Sequence, residues 1–417
     1  MHWADVVAET LVERGGAHRV ASGTSISGQI HLGNAGDVIF ADGIARAVRA
    51  KGSAAEVLWI ADDVDPLRSL PEQLPPSFSE HLGKPVSSLP DPDSCHATFP
   101  DHFIEPFLTS LKEVGIEPIE KRGSRMYAAG EYDAAVRVAF ARAEEIREIL
   151  VRVAKSKKPV GWLPFDPICD ACGRIATTDA TGLEGDKVLY RCGGGVAGKK
   201  EMAGCGLEGA TSLRHGKLTW RVEWAARWQI LGVTCEPFGK EHSAAGGSYD
   251  TSKVISKDIF GYPPPVPVLY EHILVAGRKM SKSKGNVVDP WEVFNAEGAD
   301  AMRWYLFTQS PPWSDKRFDR KFAYEAISKF LRPYWNCYAF LATYGAIDGF
   351  DPDRPRPGPA GLPPLDRWLA SRLDKTIGAA TEAMEAFEPQ RAARAVEDFV
   401  VTDLSNWWIR RSRDRFW

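Results

Sequence analysis

Apolar positions along the first sixty-odd residues change their spacing several times, and each change predicts an element. Residues 4–14 carry them at helical intervals. HRVASGTSIS (18–27) reads as a short strand running into a Gly/Ser-rich turn. GNAGDVIFADGIARAVRAKG (33–52) returns to helical periodicity with small residues at its start. AEVLWIADDVDP (55–66) is a nearly continuous apolar run ending in acidic residues, the pattern of a buried strand. Strand, turn, helix and strand in this order form a βαβ unit, the opening of a parallel α/β domain.

Residues 67–100, rich in Pro and Ser, read as an irregular insertion, and 101–118 and 132–156 as helices. Residues 160–215 hold many Gly, four of the seven Cys and little periodicity, which suggests a small knuckle set into the larger domain. Residues 222–262 read as helix, strand, Gly-rich turn and helix; 266–286 as a strand followed by a basic loop. From residue 287 the pattern becomes helical and rich in aromatics, with a Pro-rich linker at 351–364. The expected architecture is a Rossmann-type parallel sheet over 1–315, interrupted by a knuckle at 160–215, and an α-helical domain over 316–417.

A chain of 417 residues, 44% hydrophobic and 26% charged, can bury two or three cores. Its net charge of −3 supplies no global basic field, so nucleic acid would have to be held by local patches. The chain has no run of 18 apolar residues, and its first residues lack the core of a signal peptide, so a cytoplasmic protein without a membrane partner is expected. In that reducing compartment Cys169, Cys172, Cys192 and Cys205 suggest a metal site and not disulfides. The Cys-x2-Cys pair suits structural zinc; the wider gap before Cys205 leaves reduced buried thiols as the alternative.

Two short motifs carry the candidate chemistry. Lys279-Met280-Ser281-Lys282-Ser283 is a basic loop after the strand at 266. His31-Leu32-Gly33-Asn34 follows the first strand and opens the first long helix, where small residues admit a phosphate and the helix N-terminus offers N–H groups. An imidazole there can donate to phosphoryl oxygens in a crowded transition state. Together they resemble the paired signatures of class I aminoacyl-tRNA synthetases, with Asn34 in place of the usual final histidine. The resemblance implies that both segments converge on one ATP with Mg²⁺. His31 and Asn34 would serve phosphates and ribose, and Lys279 and Lys282 the β/γ-phosphates.

MHWADVVAE, VASGTSISGQIHLGN, IADDVDPLRSLP, LGKPVSSLPDPDSC, WRVEWAARWQILGV and EPFGKEHSAAGGSYDTS resemble the class I lysyl-tRNA synthetases over residues 1–280. That resemblance implies that Gly23, Ser25, Trp220, His242 and Tyr270 surround lysine, and that Gly246 and Gly247 let the backbone approach adenosine. Lysine has an apolar stem and a terminal ammonium, so its pocket needs aromatic walls and an anion. Asp37, one helical turn after HLGN, is the expected anion, with Asp62 and Glu241 as competitors.

From residue 287 the similarity shifts. VVDPWEVFNAEGADAMRWYLFTQSPPWSDKRFD, LDRWLASRLDKTI and AARAVEDFVVTDLSNWWIRRSRDRFW resemble isoleucyl-tRNA synthetase, whose helical anticodon-binding module this chain follows only partway. RWLASR and WWIRRSRDRFW set Arg among aromatics, a composition for RNA contact or for a solvated helix face. The expected function is ATP-dependent activation of lysine and its transfer to tRNA. The rivals are an isoleucine-specific enzyme and a synthetase-derived tRNA-binding protein without turnover.

Overall fold

His18–Ser25 (β1) and Ala55–Asp62 (β2) pair in parallel from His18↔Ala55 to Ser25↔Asp62. All but one residue of β2 are buried, as befits a parallel strand covered on both faces. The structure is a computed structural model that describes residues 2–30, 32–70, 74–271, 273–275, 277–279, 290–311, 314–355, 358 and 361–416. Ile119–Arg122 (β3), Cys235–Gly239 (β4) and Val266–Tyr270 (β5) complete a five-stranded parallel sheet of order β5-β4-β1-β2-β3.

Alternate residues of β2 feed two cores. Val57, Trp59 and Ala61 pack with Trp3–Arg14 (α1) and Leu32–Ala50 (α2); Leu58 and Ile60 face the layer of Trp220–Leu231 and Ser248–Asp258. Helices on both faces make this the expected doubly wound fold. The helix read over 132–156 is instead two, Asp133–Ala141 and Ala143–Ala154. They break at Arg142, whose guanidinium is drawn to the carbonyls of Asp258 and Ile259 at 2.7 and 3.0 Å.

The Cys-rich segment has more regular structure than its sequence suggested. Asp179–Glu184, Lys187–Arg191 and Glu208–Ser212 form an antiparallel sheet, and Gly194–Ala197 pairs with Lys200–Ala203. The excursion is closed at its base, where Phe165–Pro167 pairs antiparallel with Gly216–Leu218.

The chain divides into two compact units, one through Tyr270 and one made of the described residues from Glu271 on. In the second unit Ile273–Val275 lies between Arg278–Lys279 and Lys316–Phe318 in a small sheet. Its helices share a core of Phe330, Phe399 and Val400, with Trp304 stacked on Phe330 at 3.9 Å. No helix among the described residues is long and apolar enough to cross a membrane.

Candidate active site and metal centres

Strand order reverses direction at β1, with β2 and β3 on one side and β4 and β5 on the other. In open parallel sheets the crevice beyond the carboxyl ends at such a point is where ligands bind. Gly23 and Ser25, alternate residues of β1, are both exposed there. A methyl group on Gly23 would stand 3.7 Å from Asp62 Oδ2, so the buried Asp62 carboxylate lies directly behind this glycine. Gly33 and Asn34 lie in the first turn of α2, and Asp37 in the next; all three are half-buried.

Behind this edge lies a network of enclosed charges. Arg227 Nη1 donates to Asp62 Oδ1 at 2.6 Å. Lys217, carried on the strand that closes the Cys-rich excursion, reaches Asp65 Oδ1 at 2.6 Å and Glu223 Oε2 at 2.8 Å. Ser25 Oγ donates to Asp65 Oδ2 at 2.8 Å. Burial raises the Asp65 pKa, but the charges of Lys217 and Arg68 and the hydrogen bonds from Lys217 and Ser25 outweigh it and bring it to about 2. Tyr127 OH donates to Glu223 Oε1 at 3.1 Å, and the indoles of Trp224 and Trp228 donate to Glu236 at 3.0 and 2.6 Å.

Trp220 opens the helix that packs on this face, stacks on Trp224 at 5.1 Å and lies 6.1 Å from the His242 ring. Trp220 and His242, named from the sequence as neighbours of one ligand, are thus together. Tyr270 ends β5, where Val266 and Val268 pack toward α1 and α2, and it stacks on Phe40 of α2 at 5.0 Å. It therefore belongs to the sheet face opposite Trp220, with Asp37 one turn before Phe40. Gly246 and Gly247 answer to their own backbone: a Cβ at Gly246 would meet the Val153 carbonyl at 2.6 Å, and one at Gly247 the Ala244 carbonyl at 2.6 Å. Packing against these carbonyls therefore accounts for glycine at both positions, independently of any approach to adenosine.

His31, Met280, Ser281, Lys282 and Ser283 lie outside the described residues. Of Lys279 the backbone is placed, paired with Leu274.

The four cysteines named from the sequence converge. All four sulfurs lie within 4.8 Å of one another, with Cys169–Cys205 at 3.5 Å and Cys172–Cys192 at 3.8 Å. Tetrahedral zinc with Zn–S bonds of about 2.3 Å has sulfurs about 3.8 Å apart, so the spacing fits. The sulfurs act on one another: against the effect of burial, backbone N–H groups of Cys172 and Ala171 lower the Cys169 thiol pKa, whereas burial raises that of Cys172.

A second donor cluster lies outside the residues named from the sequence. Asp91, Cys95, His96 and His102 also bring ligand atoms within 4.8 Å of one another. Cys95 Sγ lies 3.0 Å from His96 Nδ1 and 3.2 Å from His102 Nδ1. The far nitrogens face carboxylates, His96 Nε2 toward Glu105 at 2.9 Å and His102 Nε2 toward Asp93 at 3.6 Å. A carboxylate on the outer nitrogen fixes a metal-binding histidine's tautomer, so this donor set also suits a divalent cation. The signal was a Cys-His pair with a second His six residues on.

Residues 1–341 match the family described as tRNA synthetases class I (K). The chain belongs to that family. Residues 366–417 of this class I synthetase match the anticodon-binding domain of tRNA ligases. Lysine–tRNA ligase of Methanosphaera stadtmanae is 44% identical over 314 residues, covering 74% of this chain and 57% of the relative. That of Archaeoglobus fulgidus is 44% identical over 312 residues, covering 75% and 61%. The chain thus spans about three-fifths of the length of these relatives. Methionyl-tRNA synthetase of Mycobacterium tuberculosis, solved with methionyl-adenylate, covers 96% of this chain and 84% of its own at 14% identity and a TM-score of 0.45, too slight a likeness to carry an argument. Within residues 366–417 the basic residues are partly committed. Arg411 lies over the Trp407 ring at 4.7 Å, and Arg415 grips Asp366 with both terminal nitrogens at 2.8 Å.

Proposed function

We propose that this synthetase activates lysine with ATP and transfers it to tRNA in the cytoplasm. The observation that carries this reading is the crevice floor: Gly23 and Ser25 stand open beside Asp62 and Asp65, with Trp220 and His242 on the same side. An open edge backed by carboxylates, with the Trp220 and His242 rings beside it, suits an amino acid with two ammonium groups and an apolar stem. The 44% identity to two lysine–tRNA ligases supports the same amino acid. Asp37, near the Phe40–Tyr270 stack, offers a further carboxylate.

In this reading Gly33 and the opening of α2 receive the ATP phosphates, His31 and Asn34 stabilise charge on them, and Lys279 and Lys282 neutralise the leaving pyrophosphate. Met280, Ser281 and Ser283 contribute to ATP binding in this reading, and the backbone at Gly246 and Gly247 borders the adenosine. Mg²⁺, when bound, screens the triphosphate; the chain's own work is to align the lysine carboxylate with the α-phosphorus. Zinc at Cys169, Cys172, Cys192 and Cys205, and a second divalent cation at Asp91, Cys95, His96 and His102, would fix the segments that carry them.

ATP–pyrophosphate exchange measured with each amino acid tests the proposal. Lysine-dependent exchange is expected; exchange with isoleucine and none with lysine would overturn it.

A further inference from the structure

Ser25 and Asp65 belong to different segments, β1 and the turn after β2, and meet only because β1 and β2 are in register. Asp65 is a carboxylate and only accepts, so the single hydroxyl proton of Ser25 must point at it. Ser25 Oγ therefore turns its lone pairs outward, into the crevice. Lys217 fixes the arrangement by occupying the other carboxylate oxygen, and it cannot swing away, being enclosed and also held by Glu223. A hydroxyl whose proton is committed presents an acceptor, and the complementary ligand group is a donor such as an ammonium.

We propose that Asp65, anchored by Lys217, is a positioning residue that sets Ser25 Oγ as the hydrogen-bond acceptor for an ammonium group of the bound amino acid. This rests on the lysine reading above and deepens it, since it assigns a polarity to one contact. Asn at position 65 would give its one carbonyl oxygen to Lys217 and turn its amide N–H₂ toward Ser25. The serine would then accept from the amide and aim its own proton at the ligand ammonium, reversing the match.

The test is lysine-dependent pyrophosphate exchange by the full chain carrying Ser25→Ala, Asp65→Asn or both. Each single change should raise the lysine KM about tenfold or more, the scale of a hydrogen bond to a charged group. The ATP KM and kcat should stay within about twofold on the same grounds. The double variant should be no worse than the poorer single one, since both remove one interaction. Ser25→Thr, which keeps the hydroxyl at an open position, should rescue the lysine KM relative to Ser25→Ala, and an unchanged ATP KM and kcat in Asp65→Asn show that this variant folds.

Two competitive inhibitors identify the ammonium. 6-Aminohexanoate carries only the side-chain ammonium of lysine, and norleucine only the α-ammonium; the one whose inhibition weakens in Ser25→Ala marks the contact. An unchanged lysine KM in Asp65→Asn, additive losses, an ATP KM that rises in step, or a Ser25→Thr as impaired as Ser25→Ala would each overturn the proposal. If the unmodified chain exchanges with another amino acid and not with lysine, the lysine reading fails by itself. The same variants measured with that amino acid then decide the role of Ser25 through its α-ammonium.

Discussion

Arg227, midway along the helix Trp220–Leu231, places Nη1 2.6 Å from Asp62 Oδ1 at the carboxyl end of β2, and both side chains are nearly sealed from solvent. The pair ties the helical layer to the strand that borders the crevice. Removing one partner of a buried ion pair strands the other charge, so Arg227→Met should cost about 3–5 kcal/mol of stability in urea unfolding. Replacing both, Asp62→Leu with Arg227→Leu, should recover most of that loss.

His18, at the start of β1, is 1% exposed, and neither ring nitrogen has a hydrogen-bond partner among the described residues. Burial first, then the positive charge of Arg14, holds its pKa below the ordinary 6.5. Below that value the unfolded chain takes up a proton that the folded one refuses, so stability falls as pH drops and levels off once the folded histidine titrates. His18→Phe should lose this dependence. Melting temperatures at pH 7.5 and 5.5 should differ less in the variant than in the parent; an equal difference would place the effect elsewhere.

Two metal equivalents per chain are expected by atomic emission. Cys172→Ser and His96→Ala should each remove one and lower the melting temperature independently, because the clusters share no ligand. A strong chelator should reproduce the sum. Retention of both metals in either variant would reject that cluster as a site.

Lys282→Ala should reduce pyrophosphate exchange by about a hundredfold or more while leaving the thermal unfolding profile unchanged, the signature of lost transition-state charge stabilisation. Survival of full activity would remove the basic loop from the mechanism.

Trp220→Ala should raise the lysine KM by roughly three- to thirtyfold, the range of a partly desolvated cation–π contact plus lost stem packing. Binding of norleucine, which keeps the stem and the α-ammonium but lacks the side-chain ammonium, should weaken less. Equal weakening would assign Trp220 to the stem only.

The sequence pattern was most informative where burial is two-sided or periodic. The run in β2 and the small-residue opening of α2 each announced an element that the structure contains, because parallel strands and amphipathic helices leave direct apolar signatures. The strands of the Cys-rich segment were not legible, since short hairpins around glycine turns lack enough residues to show alternation. The cluster at Asp91 and Cys95 was missed because its four ligands mix three residue types, whereas the cysteine quartet repeats one. Ser25 was named through a resemblance, but its bond to Asp65 depends on strand register and on a lysine 152 positions away from that aspartate, which no local spacing encodes.

Phe165–Pro167 and Gly216–Leu218, the outgoing and returning arms of the Cys-rich excursion within the first unit, are hydrogen-bonded neighbours. Everything strung between them is therefore a loop with its neck already tied. Lengthening or trimming such a loop alters closure entropy only slowly, as the logarithm of its length. Changes of length at the exposed hairpin turns beyond the neck, such as Glu184–Lys187, should be tolerated far better than a shift of one residue within the neck, which would carry Lys217 to the wrong side of its strand.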